Sequence, residues 1–431
     1  MEHIVIIGNG ISGITAARHI RKLSNKQITV ISAETDYFFS RTALMYVYMG
    51  HMQWEHIQPY ENWFWEKNNI QLRRGYVNEI DTANKKLVLD NYAAIHYDKL
   101  IIATGSKPNK FGWPGQDLQG VQGLYSAQDL ETLEQNTKDI SRAVIVGGGL
   151  IGIELAEMLR SRNIPVTFLV RENSFWNGVL PSGESEMINK HILEHHIDLR
   201  LGVNLEEIIP DENGRAKAIK IKETGEVIPC ELVGLTAGVS PNISFLQSST
   251  IETGRGVKVN RHLETNVPDV YAIGDCAEQH EPIGNRRPIE AVWYTGRMMG
   301  EAVAQTICGN KTPYNPGHWF NSAKFLDIEY QTYGWVNSDQ RKPDHEEHFH
   351  WMHKDGKKCI TMAIHKDSGE FLGLNTFGIR MRHETFDKWL TEKRSADYVM
   401  EHLKEANFDP EFFSKHEKEI LQAYKNQLVT A

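Results

Sequence analysis

Two glycine-rich turns, each set between an apolar strand pattern and a helix pattern, constrain this chain more than any other feature. In the first, "HIVIIGNGISGITAARHI", residues 3–7 read as a buried strand, and Ile14, Ala17 and Ile20 recur at helical spacing. Gly8 permits the tight turn, Gly10 lets a pyrophosphate approach backbone N–H groups, and Gly13 lets the helix pack closely on the strand. The second, "SRAVIVGGGLIGIELAEMLRSRNIPVTFLVRE", places Gly147, Gly149 and Gly152 in the same roles. Each helix directs its positive end at its turn. Two such units about 140 residues apart predict two dinucleotide sites or one duplicated fold.

An acidic residue at the end of the second strand of such a unit can hold a ribose hydroxyl. In "QITVISAE" the candidate is Glu34, with Ser32 directly after the strand; the alternative is a solvated loop charge. In the second unit the strand ends in Val170, Arg171 and Glu172. A carboxylate there binds a free 2'-hydroxyl, whereas an arginine attracts a 2'-phosphate, so Arg171 and Glu172 pull in opposite directions and Glu172 leans toward NADH.

At 431 residues the chain is long enough for two to four domains. A formal charge of -9, with 24% charged residues of mixed sign, gives no basic footprint for nucleic acid. A strand pattern that starts at residue 3 and the lack of an 18-residue apolar run predict a cytoplasmic protein without a transmembrane segment. Cys230, Cys276, Cys308 and Cys359 form no CxxC pair, and the histidine-dense "HEEHFHWMH" at 345–353 has no HExxH register. No metal site is expected, and that stretch reads as a wet loop or edge strand.

With "LIIATGSKP" at 100–108 and "ETNVPDVYAIGDCAE" at 264–278, the chain resembles the pyridine nucleotide-disulfide oxidoreductase superfamily. Within it the likeness is to rubredoxin and ferredoxin reductases, the flavin module of nitrite reductase, and apoptosis-inducing factor. The resemblance implies an α/β fold with two Rossmann-like dinucleotide-binding domains, the NAD domain inserted in the FAD domain, plus a small α+β C-terminal domain and a helical tail. The expected boundaries are 1–112 and 245–310 for FAD, 113–244 for NAD(P)H, 311–383 for the C-terminal domain and 384–431 for the tail. It implies that Gly274 leaves room for FAD and Asp275 accepts from its ribityl or pyrophosphate region. Ala103, Thr104 and Gly105 would mark the crossing out of the FAD domain, and "TAGVSPN" at 236–242 the return.

The segment "FFSRTALMYVYMG" departs from both forms known in the superfamily. Thr42 falls where disulfide and peroxide reductases resembling this chain carry a reactive cysteine, and a hydroxyl cannot replace a thiolate. Electron-carrier reductases have a lysine where Tyr46 stands; Arg41 matches their arginine and Glu154 the glutamate that pairs with the lysine. Glu154 is therefore expected to turn toward Arg41 or the nicotinamide amide and orient NADH. "PIEAVWYTGRMMGEAVAQTI" reads as a helix from Pro288, with Trp293 and Tyr294 near the flavin or in the core.

The resemblance thus implies FAD as cofactor, NADH or NADPH as donor, and a small iron–sulfur carrier as acceptor, with a possible homodimer. The rival expectations are an NADH:quinone reductase, using residues 384–431 as a membrane foot, and a redox-sensing NADH-binding interaction protein. The modest apolar face of that tail, Phe386, Trp389, Leu390, Tyr398 and Leu403, favours core packing.

Overall fold

In the computed structural model, residues 1–90, 93–409 and 411–430 are described. The chain divides into two compact units. The first comprises Met1–Asn109, Gly123–Lys138 and Gly238–Pro316; the second comprises Lys110–Gln122, Asp139–Ala237 and Gly317–Ala431. Residues 123–138 fall in the first unit, and the C-terminal sheet and helices cluster with residues 139–237.

The first unit is built on a five-stranded parallel sheet in the order Val270–Ala272, Lys99–Ile102, His3–Ile7, Gln27–Ser32, Ile70–Arg74. Its central strands read as near-continuous apolar runs because both faces are covered. Ile4, Val5, Ile6, Leu100, Ile101 and Ile102 are all fully buried. The helix Ile11–Leu23 packs on the helix Trp293–Ile307, and glycines set the approach: a Cβ at Gly300 would lie 2.6 Å from the Ser12 carbonyl oxygen. The latter helix starts at Trp293, five residues later than the sequence predicts. Glu290 is instead held in a buried ion pair with Arg286 at 3.0 Å and also accepts from Thr295 Oγ1 at 3.2 Å.

The outgoing and returning crossings pair with each other. Ser106–Pro108 and Val239–Pro241 form a two-stranded antiparallel ladder, flanked by Gly105 at φ 66° and Gly238 at φ 92°. Thr104 Oγ1 donates to the Asn242 carbonyl at 2.8 Å, and Asn242 N–H to that of Gly105 at 2.9 Å. Both crossings are thereby fixed at the mouth of the first sheet.

The second unit contains a parallel sheet in the order Asp198–Leu201, Val166–Val170, Ala143–Val146, Leu232–Leu235, Val121–Gln122. It also contains a five-stranded antiparallel sheet, ordered Phe320–Phe325, Ile328–Gly334, Phe371–Phe377, Cys359–His365, Glu346–Met352. The histidine-dense stretch is the strand at one edge of this sheet. Three helices follow, His383–Thr391, Ala396–Glu401 and Glu417–Thr430. Phe386, Trp389 and Leu403 are buried in a core shared with Phe349, Ile360 and Phe371, with Leu390 and Tyr398 packed against it. The tail's apolar face is thus used in packing; Pro410 and Ala431 of the expected extension lie outside the described residues.

Candidate functional site

The two glycine turns have the same construction. Gly8 adopts φ 111°, and a Cβ there would sit 2.1 Å from the Ala103 carbonyl oxygen; Gly147 adopts φ 121° and is closed in by Thr236. A Cβ on Gly13 would lie 2.1 Å from the Gly8 carbonyl oxygen, and one on Gly152 2.4 Å from that of Gly147. Only hydrogen fits at these positions.

Gly10 and Gly149 behave differently: a Cβ at either would meet nothing within 4 Å. Each is the N-cap of its helix, Ile11–Leu23 or Leu150–Ser161, and neither helix has a side-chain cap bond or an acidic residue in its first turn. Open space therefore lies against N–H groups that the helix itself cannot satisfy. A pyrophosphate fits this arrangement at both turns.

Around the first turn, Ser32, Glu34, Arg41, Ser106, Tyr125 and Asp275 form one polar network. Ser32 Oγ accepts from the N–H groups of Glu34 and Thr35 at 3.2 and 3.3 Å, shaping the loop after the strand. Glu34 accepts from Arg41 through both oxygens, at 2.9 and 2.6 Å, and from the N–H of Ala127 at 2.9 Å. Its remaining lone pair can still take a ribose hydroxyl. The guanidinium of Arg41 also donates to the Tyr125 carbonyl and lies over the Tyr125 ring, 4.5 Å from its centroid. With its guanidinium committed to Glu34 and Tyr125, Arg41 is not the free partner that the sequence reading offered to Glu154.

Gly274, at φ 72°, turns the strand Val270–Ala272 so that Asp275 faces this network. Asp275 Oδ2 accepts from Ser106 Oγ at 3.2 Å, and the Tyr125 hydroxyl lies 3.5 Å away. Burial raises the Asp275 carboxyl above the usual carboxylate range, opposed by Ser106 and Arg41. Tyr125 is a residue that the sequence reading missed. Its hydroxyl accepts from the Ser106 N–H at 2.9 Å, and burial, aided by Asp275, pushes its pKa up to about 12. The one local signal near it was the capping box of Ser126 and Asp129, which starts the helix Ala127–Asn136.

Thr42 is exposed in the short turn Arg41–Ala43, with Ser40 Oγ 3.3 Å from its hydroxyl. Tyr46 follows in the helix Leu44–Tyr48, half-buried and stacked on His51 with centroids 6.3 Å apart. Trp293 and Tyr294 are half-buried and meet edge to face at 5.4 Å.

In the second unit Glu154 lies in the helix Leu150–Ser161, one turn from Glu157, which pairs with Lys324 at 2.6 Å. Burial pushes the Glu154 carboxyl up to about 7; Glu157 adds to this and Lys324 opposes it. After the strand Val166–Val170, Arg171 Nε donates to Glu172 Oε1 at 2.6 Å, so the two opposed charges partly neutralise each other.

Residues 2–300 match the family model of the pyridine nucleotide-disulphide oxidoreductases. The chain belongs to this family, whose members use FAD and NAD(P)H. It is 30% identical over 349 residues to a Bacillus subtilis nitrite reductase [NAD(P)H], covering 79% of this chain and 42% of the relative. The chain therefore spans less than half of that protein. It is 31% identical to a 5,5'-dehydrodivanillate O-demethylase ferredoxin reductase subunit of Sphingobium sp., covering 77% of this chain and 81% of the relative. Among solved structures, the NADH:rubredoxin oxidoreductase of Clostridium acetobutylicum superposes with a TM-score of 0.73 at 25% identity, covering 92% of this chain and 95% of that one. No helix among the described residues is long and apolar enough to cross a membrane.

Proposed function

We propose that this chain is an FAD-dependent NAD(P)H reductase that passes electrons to a separate iron–sulfur carrier, a ferredoxin or a rubredoxin-like protein. The observation that carries the reading is the combination of two phosphate cradles with no usable thiol relay. Position 42 holds threonine, and Cys230, Cys276 and Cys359 are buried. Burial raises all three thiols, Cys230 to about 12 with Glu231 contributing, so none supplies a thiolate near neutral pH. Cys308 is at the far end of the helix Trp293–Ile307. The ferredoxin reductase subunit of Sphingobium sp. and the NADH:rubredoxin oxidoreductase of Clostridium acetobutylicum support the same acceptor class.

In this reading the N–H groups that follow Gly10 hold the flavin dinucleotide, Glu34 meets its ribose, and Asp275 accepts from the region between ribityl chain and pyrophosphate. Tyr125 and Arg41 keep those two carboxylates in place. Thr42 and Tyr46 line the flavin side of the loop. The N–H groups that follow Gly149 hold the nicotinamide dinucleotide, and Glu172 favours NADH because a 2'-phosphate would have to face its carboxylate. Glu154 orients the nicotinamide amide; with a carboxyl near 7 it can either accept from or donate to it. When bound, the flavin supplies the conversion between two-electron and one-electron transfer.

The test is anaerobic stopped-flow reduction of the flavin-loaded protein by NADH and NADPH, followed by mixing with ferredoxin, rubredoxin, a short-chain quinone and a disulfide. Fast bleaching by NADH and fast reoxidation by an iron–sulfur carrier are expected. Rapid reduction of the disulfide would overturn the argument from Thr42, and exclusive reoxidation by the quinone would replace the acceptor class.

A further inference from the structure

Within the second unit, the helix Ser182–Glu194 and the tight turn joining Phe320–Phe325 to Ile328–Gly334 bring together three side chains that the flavin chemistry leaves unused. His191 and His195 are four residues apart, a spacing that puts two imidazoles on one side of a helical turn; their centroids are 4.3 Å apart. Asp327 comes from the turn between the strands, where Leu326 adopts φ 58°. Asp327 Oδ1 is the meeting point: His191 Nε2 is in short contact with it, and His195 Nε2 lies 3.3 Å away. The His191 side chain is 2% exposed and that of Asp327 61%, so the cluster has a dry back and a wet front.

With neutral imidazoles the hydrogens of this cluster balance at His191 and not at His195. His195 Nδ1 lies 2.9 Å from the main-chain carbonyl oxygen of His191. A carbonyl only accepts, so Nδ1 carries the hydrogen, and Nε2 of the neutral ring is left as a bare lone pair. That lone pair faces a carboxylate oxygen, another acceptor. His191 differs: with its hydrogen on Nε2 it donates to Asp327, and its buried Nδ1, 3.8 Å from Glu194 Oε2, is left without a hydrogen-bond partner. In the other tautomer its Nε2 also points a lone pair at Asp327. The contact at His195 calls for a cation, either a proton on its ring or a metal ion held by the three side chains, whose ligand atoms lie within 4.8 Å of one another. An imidazole whose second nitrogen donates to a carbonyl or carboxylate is fixed in the ligating tautomer.

We propose that His191, His195 and Asp327 bind a divalent transition ion of the Zn²⁺ class, with the solvent-facing position taken by water. Two imidazoles and one carboxylate suit a borderline ion, whereas Ca²⁺ and Mg²⁺ favour oxygen-only sites. Zn–N and Zn–O bonds of about 2.1 Å in tetrahedral geometry set ligand atoms roughly 3.4 Å apart. The His195 to Asp327 separation already meets this, and Asp327, exposed on its turn, can draw back from His191 to do so. The ion fastens the helix Ser182–Glu194 to the hairpin of the C-terminal sheet.

The test uses untagged, flavin-loaded full chain stripped with chelator and dialysed against Zn²⁺ at pH 7.5, with bound metal counted and thermal melting followed. One Zn²⁺ per chain at micromolar or tighter Kd and a higher Tm are expected. His195→Gln and Asp327→Asn, both at the wet front, should each weaken binding by about ten-fold or more. His416→Ala, which disrupts a second group of His353, His416 and Glu419, should leave it unchanged. Binding no tighter than millimolar, or binding that survives both front variants, would overturn the proposal; loss in His416→Ala alone would move the site elsewhere.

Discussion

Arg41 clasps Glu34 through two parallel hydrogen bonds, Nη1 to Oε1 at 2.9 Å and Nη2 to Oε2 at 2.6 Å, seven residues apart across the loop after the second strand. With side chains 29% and 22% exposed, the pair is shielded from solvent on most of its surface. It fastens the loop to the helix Ala127–Asn136 through the Ala127 N–H and the Tyr125 carbonyl.

Arg41→Ala should therefore lower stability by roughly 1–3 kcal/mol, because it leaves a half-buried carboxylate with one main-chain donor. Arg41→Lys should recover only part of this, since a single ammonium cannot span both oxygens. Urea midpoints for the single variants, Glu34→Gln and the double variant measure the coupling. A coupling near zero would mean that solvent screens the pair despite its geometry.

The two glycines of the first turn should fail in different ways. Gly13→Ala forces a methyl group against the Gly8 carbonyl and should destabilise the apoprotein by roughly 1–3 kcal/mol or more. Gly10→Ala meets no protein atom and keeps an allowed φ of -71°, so the apoprotein should lose less than about 1 kcal/mol. Its flavin should nevertheless be released at least ten-fold more readily on ultrafiltration. Equal flavin retention in Gly10→Ala and the unaltered protein would remove the pyrophosphate from this turn.

What could be read from the sequence follows the distance over which each feature is built. Although the close approach at Gly8 is to Ala103 at the end of the neighbouring strand, Gly8, Gly10 and Gly13 lie within one turn of chain, and the close approach at Gly13 is to Gly8 itself. The Arg41 network does not: Tyr125 is 84 residues from Arg41 and 150 from Asp275, and only the fold brings them together. The same holds for the helix expected from Pro288. Its apolar spacing is right, but Glu290 pairs with a buried Arg286 that also donates to the Pro316 carbonyl, 30 residues on, and the helix starts only at Trp293. His191 and His195 show their spacing openly, whereas Asp327 is 136 residues beyond His191. The spacing of the pair is local, and its convergence with Asp327 is made only by the fold.

Glu184 predicts a pH dependence of stability that is independent of any cofactor. It is fully buried, and Oε2 accepts from Asn375 Nδ2 at 2.9 Å. Burial pushes its carboxyl up to about 8 from an ordinary 4.5, against the hydrogen bonds from Thr361 and Asn375. Between those values the folded chain binds more protons than the unfolded one, so stability falls as pH rises, at up to about 1.4 kcal/mol per pH unit. Glu184→Gln should flatten this part of the profile and be the more stable form at pH 8.5. Parallel urea midpoints for the two proteins from pH 6 to 8.5 would count against this titration.

Glu154 should govern the pH dependence of reduction by NADH. Its carboxyl is raised to about 7, chiefly by burial and then by Glu157, while Lys324 holds it down. Near neutrality it passes from a hydrogen-bond donor to an acceptor, and a nicotinamide amide oriented by it should feel that change. The pre-steady-state reduction rate of the flavin-loaded protein should therefore titrate with an apparent pKa near 7. Glu154→Gln should remove this dependence while keeping a polar contact. Lys324→Met removes the opposing cation and leaves Glu157 without its partner, so the two effects together should move the titration to higher pH. A rate profile that keeps its midpoint in Glu154→Gln would assign the titration to another group, and with it the placing of the nicotinamide.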